Sequence, residues 1–354
     1  MSITAKELAQ KLNLSAAAVS MALNNKPGVS TQTRKMVLEE ARRLGYNFDR
    51  IKAKEENRTE QGNIYFVVYR KHGALVPESP IYVSKGQGMP VAEPSFFTQL
   101  SEGISQSCKE MGYHLHISYL YADDNVAAQL QEWANFGLSG ILLLGTEMDR
   151  TDLAIFRQSG IPFVLIDNYF DDLNTDSVIM NNVQGAFLAT NYLIRRCHSQ
   201  PGYLKSTYRF NGFNERADGF YKAIRLNGMS TARSQVMDLS PTVEGAYEDM
   251  KVLLLQNPDA PIPRCYFADN DLIAAGAMRA LTEAGYRIPE DVAIIGFDDM
   301  PLCTYMNPPL TTVHVPKQYM GDLAVKRLVE IIKNKSSLPV KIEVATTLVK
   351  RKSC

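Results

Sequence analysis

The sequence predicts an α/β protein in three parts: a small all-helical head followed by two doubly wound parallel-sheet lobes. Residues 1–58 hold only helix-spaced apolar stripes separated by turn residues, strand-like runs and helical stripes alternate from Ile64 onward, and the alternation begins afresh near Asn181. Charge divides at the same place. The first 58 residues carry 11 Lys and Arg against 6 Asp and Glu, a net of +5, which leaves 27 against 32, a net of −5, in the rest of a neutral chain. A basic head on an acidic body fits a head that meets a polyanion and a body that does not.

Within the head, Thr4-Ala-Lys-Glu7 has the form of a capping box, and Ala5, Leu8, Ala9 and Leu12 supply one apolar face behind it. Asn13 suits a tight turn. Ser15 can cap a second helix, Leu14 to Asn25, in which Val19, Ala22 and Leu23 recur at buried spacing and leave Ala16, Ala17, Ser20 and Met21 outward. After the turn-rich Asn24-Asn-Lys-Pro-Gly28, Ser30 caps a third helix whose face is expected to be Met36, Val37, Ala41 and Leu44, ended by Gly45. Two short helices across a tight turn form a helix-turn-helix, whose second member is built to enter a DNA major groove. That helix carries no charge on its outer side.

Residues 53–62 show no apolar period and read as a linker or frayed hinge. The body then opens with the strand Ile64 to Tyr69. The helix Phe96 to Met111 follows, and further strands are expected at His114 to Tyr119, Gly140 to Leu144 and Pro162 to Asp167, with helices between them. The second lobe repeats the pattern, with strands near Tyr203 to Lys205, Gln235 to Asp238, Arg264 to Ala268 and Val292 to Phe297. The resulting division is a headpiece and hinge at 1–58 and a body at 59–354, with lobe 1 at about 63–180 and 313–340 and lobe 2 at about 181–312 and 341–354. The Pro- and Gly-rich segment 70–95 is a long insertion that suits either a lid or a hairpin at a dimer contact.

Ile3-Thr-Ala-Lys-Glu-Leu-Ala9, Leu14-Ser15, Val19-Ser20, Leu23-Asn-Asn-Lys26, Val29-Ser30, Thr33-Arg34 and Leu44-Gly-Tyr46 stand in one register, and the chain resembles the LacI/GalR family of transcriptional regulators on them. Phe96-Phe97, Val164-Leu-Ile-Asp167, Arg216-Ala-Asp-Gly-Phe220, Asp269-Asn-Asp-Leu272, Ile295-Gly-Phe-Asp-Asp299 and Pro308-Pro-Leu-Thr-Thr312 extend the resemblance over nearly the whole chain. It implies lobes of periplasmic-binding-protein type around a ligand cleft. It also implies a homodimer on a double-stranded DNA operator, and control of operator affinity by a small molecule, a sugar by family frequency. The positions that read bases become Ala16, Ala17 and Met21, which offer apolar contact only. Thr4, Ser15, Ser20, Asn24, Ser30 and Thr33 fall where phosphates are held, and Ala5 and Lys26 complete the set. Where the family's hinge wedges a leucine into the minor groove, this chain has Glu55, so that lever is not expected here. In the cleft the resemblance implies Arg216 and Asp298 as donor fork and acceptor pair, with Asn270, Asp167 and a stacking Phe97; Phe210, Gly212 and Leu239 complete the lining.

Other classes fit less well. The five cysteines are odd in number, far apart in sequence and without a C-x-x-C pair, so reduced thiols in the cytoplasm are expected and neither disulfide framework nor zinc site. There is no leader-like N-terminus, and no apolar run has the length to span a bilayer. The body alone would suit a solute-binding protein, the alternative reading, but the basic head argues against it. No dinucleotide or phosphate loop, no nucleophile elbow and no metal-spaced histidines are present, so neither an enzyme nor a cofactor is expected.

Overall fold

The computed structural model describes residues 4–23, 29–46, 62–71, 82–83, 91–92, 96–256, 260–334 and 338–354. The chain divides into two compact units, Met1–Gly62 and Asn63–Cys354.

In the first unit the helices are α1 (Ala5–Lys11), α2 (Ala16–Leu23) and α3 (Thr31–Arg43). The capping box forms: the Glu7 N–H donates to Thr4 Oγ1 at 3.3 Å and the Thr4 N–H to Glu7 Oε2 at 2.8 Å. Asn13 takes the left-handed conformation that turns the chain (φ 54°), and Ser15 Oγ caps α2 by accepting from the Ala18 N–H at 3.1 Å. Leu8, Val19, Ala22, Leu23, Val37 and Ala41 form the core, with Leu38 and Leu44 packed against it. Met36, expected in that core, is instead 44% exposed, because the turn of α3 that brings Val37 and Ala41 inward carries it outward.

The second unit opens with β1 (Asn63–Arg70). A short hairpin, β2 (Tyr82–Val83) with β3 (Val91–Ala92), precedes α4 (Phe96–Met111), β4 (His114–Tyr121), α5 (Val126–Asn135), β5 (Leu138–Leu144), α6 (Arg150–Gln158), β6 (Phe163–Ile166) and β7 (Ser177–Met180). There follow α7 (Asn182–Cys197), β8 (Gly202–Ser206), α8 (Asn211–Leu226), β9 (Val236–Leu239), α9 (Val243–Gln256), β10 (Cys265–Ala268), α10 (Asp271–Glu283), β11 (Ala293–Asp298), the short α11 (Leu302–Tyr305) and β12 (Thr311–His314). The chain ends with α12 (Lys317–Lys333), β13 (Lys341–Val344) and β14 (Thr347–Val349).

Lobe 1 is a parallel sheet in the order β13-β7-β6-β5-β1-β4. Alternate side chains of its strands serve its two faces. Ile64, Phe66 and Val68 meet α4 and α12 through Leu100, Ile104, Met320 and Leu328, while Val67 and Tyr69 meet α5 and α6 through Leu130, Trp133, Leu153 and Phe156. Lobe 2 follows the order β14-β12-β11-β10-β8-β9, with α7 and α8 on one face and α9 and α10 on the other. Helix α8 comes so near α7 that a Cβ at Gly219 would lie 2.4 Å from the Val183 carbonyl.

Two features depart from the expected topology. β14 runs antiparallel to β12. Lys341–Val344, expected in lobe 2, is the edge strand of lobe 1 beside Ser177–Met180, so the third crossing falls after Val344. The chain crosses between lobes after Met180, after His314 and after Val344.

Candidate effector cleft and DNA-reading head

Both sheets aim the carboxyl ends of their strands into the space between the lobes, where ligands of doubly wound sheets bind. Lobe 1 contributes Asp167, one residue past β6, in a left-handed conformation (φ 65°), and lobe 2 contributes Asp269 and Asn270 after β10 and Asp298 at the end of β11 (φ 111°). These positive φ values at non-glycine residues mark strained turns that aim side chains out of the sheet plane.

Arg216 organises this region from the second turn of α8. Its Nη2 donates to Asp298 Oδ1 at 3.1 Å, its Nε to Asn182 Oδ1 at 2.9 Å and its Nη1 to the Asp269 carbonyl. The guanidinium lies 3.8 Å over the Phe297 ring and 5.4 Å from that of Phe213. A buried cation so held is pre-organised, with Asp298 as its counter-charge. Burial holds the Asp298 carboxyl above its usual range, opposed by the charges of Arg216 and Lys317. Asp167 is pushed up to about 6 by burial, against the 2.6 Å hydrogen bond it accepts from Thr146 Oγ1 and the charge of Arg216, while Asp298 and Glu215 raise it further. Those mutual effects place Asp167, Arg216 and Asp298 in one electrostatic field across the lobes.

Two more buried carboxylates support the site from lobe 2. Asp269 accepts from Tyr203 Oη and from the Ser206 N–H at 2.7 Å, and burial raises it to about 6; Asp271, raised to about 7 by burial, accepts from Thr312 Oγ1 and the Met300 N–H at 2.8 Å. Lys317, at the start of α12, is fully buried and donates to the carbonyl of Asp298, and burial lowers its pKa. This long-range contact ties the second crossing to the acceptor in the cleft.

The remaining predicted residues have different fates. Phe97 stacks on Phe66 with centroids 5.4 Å apart and tilts against Tyr119, on the lobe 1 side. Phe210 precedes α8 and stacks on Tyr208 at 5.9 Å, and Gly212, in the first turn, lies beside Asn182. Asn270 is buried and caps α10, accepting from the Ile273 N–H at 2.8 Å. Leu239 is a correction: its side chain is fully buried in the lobe 2 core, because β9 alternates and this position faces α9 rather than the cleft.

Sequence reasoning missed the contacts that join the lobes. Tyr169 Oη donates to Glu215 Oε1 at 2.7 Å and Asn211 Nδ2 to both Asn168 Oδ1 and the Tyr169 carbonyl at 2.8 and 2.6 Å, while within lobe 2 Asn182 Nδ2 donates to Glu215 Oε2 at 2.9 Å. Tyr169, Phe170, Asp149 and Arg150 of lobe 1 and Asn211 and Glu215 of lobe 2 line a groove of about 580 Å³. None of the predicted cleft residues lines this groove: Glu215 faces it, while the adjacent Arg216 turns inward to Asp298.

In the head, Ser20 is exposed and Met21 half-buried on α2, whereas Thr4, Ser15 and Ser30 sit at the three helix N-termini as caps, with Ser30 Oγ accepting from the Thr33 N–H at 3.1 Å. Asn24, Lys26 and Glu55 lie outside the described residues, as do the side chains of Ala5, Ala16 and Ala17.

A family model described as a periplasmic binding protein-like domain matches residues 190–354. Among curated proteins the chain is similar to the HTH-type transcriptional repressor PurR of Pasteurella multocida, 28% identical over 354 residues, 99% of this chain and 98% of that protein. It is similar in the same way to PurR of Aliivibrio salmonicida, 28% identical over 99% of this chain and 98% of that one. Among solved structures it matches the transcriptional regulator CelR in complex with cellobiose, with a TM-score of 0.70, 25% identity and coverage of 99% and 100% of the two chains. The Lac repressor bound to ONPG shares the fold, with a TM-score of 0.69, 21% identity and full coverage of both chains. The chain is similar over its full length to transcriptional regulators of the LacI family. The match runs through head and body alike, which sets it apart from a binding protein made of the lobes alone. The relatives it matches are transcriptional regulators rather than enzymes.

Proposed function

We infer that this protein is a LacI-type, sequence-specific DNA-binding repressor whose operator affinity is set by a small polar ligand held between its lobes. The observation that carries the reading is the Arg216–Asp298 pair at 3.1 Å, with Asp167 of the other lobe within reach of its charges. A guanidinium fork and two carboxylates on opposing sheets suit a polyhydroxylated ring, with an aromatic face such as Phe97 to stack on it. A sugar fits this donor set, and a sugar occupies the similar CelR. Lac repressor has been seen as a dimer on its operator with an anti-inducer, and the same assembly suits this chain: two heads on a palindrome, respaced when a ligand prefers one lobe closure over another. Asn270 and the flanking Phe210 and Gly212 complete the proposed cleft. Thr4, Ser15, Ser20, Ser30 and Thr33 hold phosphates and Ala16, Ala17 and Met21 face the bases, with Ala5, Asn24 and Lys26 on the adjoining backbone. No described helix is long and apolar enough to cross a membrane, and the proposed site of action is DNA in the cytoplasm.

The test has two arms. The full-length protein should bind a palindromic site in its own upstream region with an affinity that falls steeply with salt, and a panel of sugars and nucleobases should yield a ligand that raises its melting temperature and alters that binding. Salt-insensitive or absent DNA binding would overturn the regulator reading, and a nucleobase hit without a sugar hit would overturn the sugar assignment.

A further inference from the structure

Two of the three crossings between the lobes lie side by side, and a second cavity opens beside them. The Asn181 N–H donates to the Val344 carbonyl at 2.9 Å, Asn181 Nδ2 to Glu343 Oε2 at 3.2 Å and the Thr346 N–H to Gln184 Oε1 at 3.1 Å, which ties the chain after β7 to the chain after β13. Met180, Val183, Phe187, Glu215, Lys222 and Glu343 give the cavity its apolar and charged walls, and its volume is about 320 Å³. Arg216, Asp298 and Asp167 are not among its lining, so it is distinct from the proposed cleft. Its charges stand at two ends. The adjacent Asn181 and Asn182 donate to Glu343 and Glu215, at 3.2 and 2.9 Å, and hold both carboxylates at one end. Lys222 lies two turns along α8 from Glu215, on the same face of the helix and about 10 Å away. Its exposed ammonium sits 5.8 Å from the centre of the Phe187 ring and forms no ion pair among the described residues.

We propose that this cavity is a second ligand site, for an ω-amino acid: a zwitterion whose ammonium and carboxylate are separated by an apolar stem. Glu343 lies 3.4 Å from Lys341, whereas Glu215 has no cation beside it among the described residues and Lys222 no anion, so the cavity presents one unmatched charge of each sign. Glu215 accepts one hydrogen bond on each oxygen, from Tyr169 and Asn182, and each oxygen keeps acceptor capacity for an ammonium. The ligand carboxylate meets Lys222 and the stem lies on Met180, Val183 and Phe187. A stem of six bonds has the length of two extended residues, roughly 7 Å, and the flexible Lys222 side chain closes the remaining distance. A neutral sugar leaves both charges unmatched, and a purely anionic ligand meets two carboxylates of its own sign. Because Glu215 also carries the bond from Tyr169 that joins the lobes, occupancy of this cavity bears on lobe closure. That consequence rests on the regulator reading above; the binding itself does not.

The test is calorimetric titration of the full chain with 6-aminohexanoate, which has both charged ends on such a stem. Hexanoate and hexylamine, with one charged end each, and glycine, whose charges are too close together to reach both walls, should bind at least ~10-fold more weakly. Lys222→Gln should weaken 6-aminohexanoate by at least ~10-fold and Lys222→Arg should restore it, with the melting temperature of the ligand-free protein unchanged in both because this side chain is exposed. The comparison of the four probes needs no variant and keeps the proposal testable if either one misfolds. Absence of binding at millimolar 6-aminohexanoate, equal binding of the single-ended probes, or an unaltered affinity in Lys222→Gln would overturn it. Binding lost in Asp298→Asn but kept in Lys222→Gln would overturn it as well, by moving the zwitterion to the cleft; failure of the second site leaves the cleft's own ligand response untouched.

Discussion

Tyr169 and Glu215 join the two lobes directly, the phenol donating to the carboxylate at 2.7 Å. Glu215 also accepts from Asn182, whose Oδ1 in turn accepts from Arg216, so the interlobe bond and the inner cation share one hydrogen-bonded chain. Closure and the proposed ligand site are therefore mechanically linked. Tyr169→Phe removes only the hydroxyl from this charge-assisted bond, worth about 1.5–3 kcal/mol. Ligand affinity by calorimetry should fall by about 10-fold or more, and because the bond is already made without ligand, the melting temperature of the ligand-free protein should fall as well. Unchanged affinity would mean that closure does not depend on this bond.

Asp298→Asn separates ligand binding from DNA binding. The variant keeps an acceptor near Arg216 and removes the charge, so the fold should survive while the ligand-induced rise in melting temperature is lost. Arg216→Ala is harsher. It strips the counter-charge from Asp298 and Asp167 and the packing from Phe297, and about 3–5 kcal/mol of stability should go with it. Gel-shift titrations of Asp298→Asn without ligand should match the parent; a normal ligand response in that variant would misplace the cleft.

The pH dependence of stability follows from carboxyls that are harder to ionise when folded. Asp167 and Asp269 are raised to about 6 and Asp271 to about 7 by burial, from an ordinary value of 3.8. Between those limits the folded state binds protons that the unfolded state has released, so acidification through the window favours folding. Their cost is full above about pH 7 and disappears towards pH 4. The lowered carboxyls Asp149, Asp291 and Asp299 act in the opposite sense, and their contribution is lost only as pH falls below the ordinary carboxylate range. The melting temperature should therefore rise by about 2–4 °C or more from pH 7.5 to 5.5. A monotonic fall over that interval would show that these groups are ionised without penalty.

The architecture was legible because it rests on local periods: strand runs such as Ile64 to Tyr69 and stripes such as Phe96 to Met111 announce themselves within a few residues. Arg216, Asp298 and Asp167 were singled out through the motifs around them, and the structure brings them within one electrostatic field. What escaped depends on partners remote in sequence. Lys341–Val344 has no local mark that sends it to Ser177–Met180 rather than to lobe 2, and Tyr169 and Glu215 look like surface residues until the lobes are set side by side. Leu239 was misplaced because a motif position carries no information on which face of a strand it occupies; the alternation of β9 decided that.

The head offers a contrast between two neighbouring substitutions. Met21 lies half-buried on α2, one residue from the exposed Ser20, where an apolar side chain can meet a thymine methyl. Met21→Gln should replace that contact with an amide suited to adenine and change which operator variants are preferred, by about 1–3 kcal/mol at one base pair. Lys26 follows α2 in the sequence, and the proposed role of its cation is a phosphate contact. Lys26→Ala should weaken binding to all sequences alike and reduce the slope of log affinity against log salt by about 1. Selection from a randomised half-site, repeated at two salt concentrations, reads both effects. If Met21→Gln weakens all sites uniformly while Lys26→Ala alters preference, α2 does not lie in the groove as inferred.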